Sequence, residues 1–113
     1  MKYAIKMTGP VEQVLRTMLD DPAVERYGLE ISKLTGLETG TLYPVMARLE
    51  NVGWVESSWE DPDLSIKDGR PRRRYYQLTG EGIAVARLEL AQVRAGQTRA
   101  PGRLGRPAPG SLS

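Results

Sequence analysis

The chain has 113 residues, 40% hydrophobic and 27% charged, a size and composition that suit one small globular domain. It contains no cysteine and no histidine, which removes disulfides, thiolate chemistry, and the commonest general base and metal ligand together. Its net charge of +2 conceals a split: residues 1–63 carry six Lys or Arg against eleven Asp or Glu, whereas residues 64–113 carry ten against three, so the second half is the one suited to a polyanion.

The N-terminal "MKYAIKMTGP" carries charges and lacks the apolar core of a secretory signal. The longest apolar run, "IAVA" at 83–86, falls far short of the roughly 18 residues of a membrane span, so a soluble, cytoplasmic protein with no membrane partner is expected. The first periodic segment is "TGPVEQVLRTMLDDP". Val11, Val14, Leu15, Met18 and Leu19 recur at helical spacing, Pro10 suits the first helical position, and Pro22 drives Asp21 out of the helical region, which predicts a helix over about 10–20.

"VERYGLEISKLTG" predicts a short second helix with Ile31 and Leu34 inward and Gly36 as its stop. "LETGTLYPVMARLENVG" follows at once, with Leu42, Val45, Met46 and Leu49 on one face, Thr39 as candidate N-cap and Gly53 after the last turn. Two helices joined through the few residues around "TGLE" form a helix-turn-helix pattern. The period then changes. "GWVESSW" and "RRYYQLT" alternate, the latter with Tyr76 and Leu78 inward, and read as antiparallel strands joined by a long loop, "EDPDLSIKDGRPR". Its acidic opening, "EDPD", is expected to point away from a polyanion or to pair with the arginines beyond it.

"TGEGIAVARLELAQVRAG" predicts a final helix over about 79–95, capped by Thr79. Ile83, Ala86, Leu90 and Val93 form one apolar stripe; Ala84, Leu88, Ala91 and Ala95 form another. A domain this small can cover only one of them, so a second copy of the chain is implied, and Ile83, Ala86, Leu90 and Val93 are assigned to the dimer interface. From Gly96 the Gly, Pro and Arg content predicts a disordered basic tail over 96–113, leaving 1–95 as one winged-helix domain. The expected fold is therefore α+β, mainly α: a winged helix-turn-helix with a two-stranded wing and a C-terminal dimerisation helix.

"YGLEIS", "GTLYPVMARLENVGWVESSWE" and "GRPRRRYYQLTGEG" resemble the signature blocks of the PadR family of bacterial transcriptional regulators, over roughly residues 11–95. The resemblance implies a homodimeric repressor that binds a roughly palindromic operator in double-stranded DNA and, in many members, releases it on binding a small-molecule effector. It implies the compact subgroup with a single C-terminal helix.

The residues themselves supply a DNA-facing surface. Thr39, Thr41, Tyr43, Pro44 and Arg48 lie on the side of the third helix opposite its apolar stripe, where hydroxyls and first-turn N–H groups suit phosphates and Arg48 suits a guanine edge or a phosphate. Lys67, Arg70, Arg72, Arg73 and Arg74 load the wing with positive charge, with Arg70, Arg72 and Arg73 directed toward DNA and Arg74 starting the inward face. A second reading is a protein–protein adaptor, since winged helices serve that role too; the Thr/Tyr/Arg character of the third helix's outer face argues for DNA. No catalytic constellation, metal site or cofactor site is expected, because His and Cys are absent and the acids are scattered.

Overall fold

The computed structural model describes residues 5–99, with side chains given through 96. Helix α1 (Gly9–Leu19) starts where Thr8, in extended conformation, accepts the Val11 N–H on Oγ1 at 3.4 Å. Strand β1 (Arg26–Tyr27) and helix α2 (Gly28–Thr35) follow, and Gly36 ends α2 with a left-handed φ of 77°. Helix α3 (Thr39–Asn51), strand β2 (Val55–Trp59), helix α4 (Pro62–Asp68), strand β3 (Arg74–Leu78) and helix α5 (Gly80–Arg99) complete the order. The strands form one antiparallel sheet in the order β1-β3-β2, with Val55 opposite Leu78, Ser57 opposite Tyr76 and Trp59 opposite Arg74.

The core is the meeting of the predicted stripes. Val11, Val14, Leu15 and Met18 of α1, Ile31 of α2, and Leu42, Val45, Met46 and Leu49 of α3 are almost fully buried, together with Trp54, Val55, Tyr76, Leu78 and Ala86. Each large apolar side chain buried in this way contributes about 1.5–3 kcal/mol relative to exposure. This packing seats α3 against α1 and α2 and leaves its other face in solvent.

Several expectations require correction. The wing gains a third strand, β1, too short to show alternation. The 60–72 segment is no open loop. Asp61 accepts the Asp63 N–H at 2.9 Å, Pro62 opens α4, and Gly69 closes it with a φ of 65°. Thr39 is the first helical residue of α3; Glu38 holds the N-cap position and makes no side-chain cap bond. Leu34 is 54% exposed, so Ile31 alone anchors the middle of α2. Trp59, on the same side of its strand as buried Val55, is 55% exposed and carries Arg72 and Arg74 on its ring.

The start of α5 is tied to the turn after α3. Gly53 turns with a φ of 83°, and Trp54 donates its backbone N–H to the Leu49 carbonyl. The Trp54 carbonyl accepts the Thr79 N–H at 3.0 Å, while Thr79 Oγ1 donates to the Gly53 carbonyl at 2.7 Å and accepts the Gly82 N–H at 2.9 Å. A side chain at Gly82 would collide with the Trp54 carbonyl, which explains a glycine inside a first helical turn. Helix α5 runs through Gly96 to Arg99, beyond its expected end; the rest of the expected tail lies outside the described residues.

Candidate nucleic-acid interface

Helix α3 supplies one side of the candidate site. Its buried stripe fixes the helix, so Thr39, Thr41, Tyr43, Pro44, Ala47 and Arg48 all stand exposed on the opposite face. Pro44 falls in the second turn and withholds the N–H that would bond one turn back, yet the helix continues to Asn51. Tyr43 lays its ring and hydroxyl on Gly28, where any Cβ would overlap them, so the first residue of α2 is a seat for this tyrosine. The Arg48 side chain makes no hydrogen bond or ion pair with the described residues and is free to meet a ligand.

The wing supplies the other side, and its cations are held very differently. Glu60, just after β2, is 7% exposed. Its carboxylate accepts two hydrogen bonds from the Arg70 guanidinium, at 2.8 and 2.7 Å, and the Arg73 backbone N–H at 3.0 Å. Its backbone carbonyl accepts Arg72 Nε at 3.1 Å, and its backbone N–H donates to the Arg73 carbonyl at 2.9 Å. The Arg70 hydrogen bonds, helped by the Arg73 N–H and working against burial, hold the Glu60 carboxyl at about 2, well below its usual 4.5. The same pairing raises the Arg70 guanidinium further above its already high value, and Asp68, at 3.2 Å from Arg70, adds to it.

The guanidinium groups of the remaining arginines lie on aromatic rings. Arg72 and Arg74 each sit 5.4 Å from the Trp59 ring centre, and Arg73 sits 4.0 Å from that of Tyr27. Tyr27 meets Tyr75 edge to face at 5.8 Å. Arg74 also bonds to Ser57 Oγ at 2.9 Å and to Glu50 of α3 at 3.3 Å, which ties the wing root to the helix. Beneath it, burial raises the Tyr76 hydroxyl above its usual range, an effect that the Arg74 charge partly offsets.

Between the wing and α2, with Tyr43 reaching in from α3, lies a cleft of about 360 Å³ lined by Tyr27, Gly28, Leu29, Lys33, Tyr43 and the chain from Arg70 to Arg74. The structure therefore brings together Tyr43, Arg70, Arg72, Arg73 and Arg74. Thr39, Thr41, Pro44 and Arg48 lie outside the cleft lining on the exposed face of α3, and Lys67 lies exposed in the last turn of α4. Arg70 lines the cleft but is turned onto Glu60 and Asp68, as expected for an acid of the "EDPD" stretch that pairs with the arginines beyond it. Tyr27 and Lys33 were not singled out from the sequence. Lys33 stands one turn after Leu29 on α2, and that spacing places both on the cleft side once α2 is recognised as the helix before the turn.

The dimer assignment changes in part. Ala86 is fully buried within its own chain, and Ile83 and Leu90 pack against the same core, so this stripe is the one that covers the domain. The stripe left bare carries Ala84, Leu88, Ala91 and Ala95, with Leu88 57% exposed. Among the described residues no group of acids is arranged to hold a metal ion, and no helix is long and apolar enough to cross a membrane.

The model of the family described as "Transcriptional regulator PadR-like family" matches residues 17–88. Among solved structures, the chain is similar to a PadR family transcription regulator from hypervirulent Clostridium difficile R20291. The two are 25% identical and superpose with a TM-score of 0.67, over 86% of this chain and 100% of that one. No curated protein matches. The family match spans α2, α3, the whole wing and the first half of α5, which is the region that builds the cleft.

Proposed function

The chain belongs to the PadR-like family of transcriptional regulators, and on that premise we propose that it is a homodimeric repressor of a pseudo-palindromic operator. The observation that supports the reading is that α3 leaves a Thr/Tyr/Arg face exposed and that one residue of this face, Tyr43, lines the cleft together with the wing arginines. Helix α3 enters the major groove, with Thr39 and Thr41 on phosphates and Arg48 and Pro44 at base edges, while Arg72 and Arg73 meet the flanking backbone. Two copies joined through α5 present two such units to the half-sites. Leu88 on the bare stripe, flanked by Ala84 and Ala91, supplies the apolar contact.

A fluorescence-anisotropy titration against DNA from upstream of the chain's own coding sequence tests the reading. Saturable binding that survives excess unrelated DNA is expected; equal affinity for both DNAs removes sequence specificity. Sedimentation tests the dimer. The unaltered chain is expected to sediment as a dimer and Leu88→Glu as a monomer that still unfolds cooperatively, and a monomeric unaltered chain at micromolar concentration contradicts the assignment.

A further inference from the structure

We propose that Glu60 is a positioning residue for DNA binding: buried at the wing root, it holds the Arg72 side chain and the backbone at Arg73, and Arg70 serves as its internal counter-ion rather than as a DNA ligand. The proposal rests on the DNA-binding reading above and assigns roles inside it.

An acid beside a nucleic-acid surface ordinarily weakens binding, because it repels phosphates. Glu60 is placed otherwise. Its side chain is 4% exposed, and both carboxylate oxygens are occupied by Arg70 and by the Arg73 N–H. Its main chain holds the rest: the carbonyl takes Arg72 Nε and the N–H pairs with the Arg73 carbonyl. One residue thus touches Arg70, Arg72 and Arg73 at once. The hairpin between β2 and β3 has little core of its own, since Leu64 and Ile66 of α4 are exposed. Side-chain order around Glu60 replaces apolar packing as the source of rigidity. A wing ordered before contact does not spend association free energy on ordering it.

The two accounts of Glu60 differ in sign. If it is only a charge near the site, Glu60→Gln removes a repulsion and tightens DNA binding. If it positions the arginines, Glu60→Gln weakens binding although the protein becomes more positive, by about tenfold, the factor expected when a buried charge-assisted bond is lost. Anisotropy against the same operator DNA measures this, with Arg72→Ala in both backgrounds. The cost of Arg72→Ala is expected to shrink in the Glu60→Gln background, because the backbone carbonyl that holds Arg72 then sits on a wing root loosened by the weakened Arg70 and Arg73 N–H contacts. A readout of fold stability alone would not show that coupling. Arg70→Lys gives an independent arm, since it keeps the charge and loses the two-pronged contact. It is expected to weaken binding several-fold, and it carries the test if Glu60→Gln does not melt cooperatively. Unchanged or tighter binding by the folded variants overturns the proposal while the unaltered chain still binds. Absence of binding by the unaltered chain overturns the DNA-binding reading and this proposal together.

Discussion

Helix α3 and the wing meet where Tyr43 joins the arginine-lined cleft, but they prepare their side chains by opposite means. On α3 the backbone sets the geometry. Leu42, Val45, Met46 and Leu49 lock the helix to the core, and its outward residues need no partners, as Arg48 shows. On the wing the backbone is a short hairpin with a seven-residue helix in its connection, and almost every cation is held by another side chain: Arg70 by Glu60, Arg73 on Tyr27, and Arg74 by Ser57 and Glu50. A surface carried by a packed element can leave its charges bare. One carried by a poorly packed hairpin must brace them, at the cost of making each arginine dependent on its neighbours.

That contrast can be broken at either end. The largest effect is expected from Leu49→Ala, which removes a fully buried anchor of α3. It should destabilise the fold by about 2–5 kcal/mol in a denaturant titration. A smaller loss would mean that α3 is not held by its apolar stripe. Replacing Arg72 and Arg73 together by alanine comes next. Melting should change little, while operator affinity falls and the salt dependence flattens by about 0.9 for each phosphate contact removed. An intact slope would detach the wing from the DNA.

Thr79→Ala probes the link between the two regions, because Thr79 Oγ1 joins the turn after α3 to the helix after β3. The lost cap should cost about 1 kcal/mol. Arg48→Ala sharpens the comparison from the helix side. With no side-chain partner among the described residues, its removal should leave stability within about 0.5 kcal/mol and act only on DNA affinity. A marked drop in melting temperature would reveal a structural role.

Acid gives the smallest global effect and one confined to the wing. Glu60 is held at about 2, below its ordinary 4.5, so its contribution is complete above about pH 4.5 and is lost as pH falls toward 2. Amide resonances of Arg70 and Arg73 followed by NMR should titrate near pH 2. A midpoint at 4.5 would show that the ion pair does not form in solution.

The same contrast explains what could be read from the sequence. Helices α1 and α3 announce themselves because burial repeats every third or fourth residue, and Tyr76 and Leu78 show their strand by alternation. Helix α4 carries correct end signals, Asp61-Pro62 and Gly69, but Leu64 and Ile66 face solvent, so no stripe marks it. Strand β1 has two residues and exists through its pairing with β3, a contact between positions about fifty apart that no local pattern encodes. The arginine cluster was plain as charge. Which arginine faces outward was not, because a single buried acid, Glu60, decides it through contacts 10 to 13 positions away. On α5 both stripes were visible, but the choice between them needed α1 in place: Ala86 lies in the core and Leu88 does not.

The central claim is that α3 and the wing together form a DNA-reading surface, and the salt dependence of operator binding tests it most directly. Anisotropy titrations of the unaltered chain across a range of salt concentrations should give an affinity that falls linearly on logarithmic axes, with a shallower line when Arg72 and Arg73 are both alanine. No binding at low salt, or an affinity indifferent to salt, would contradict it.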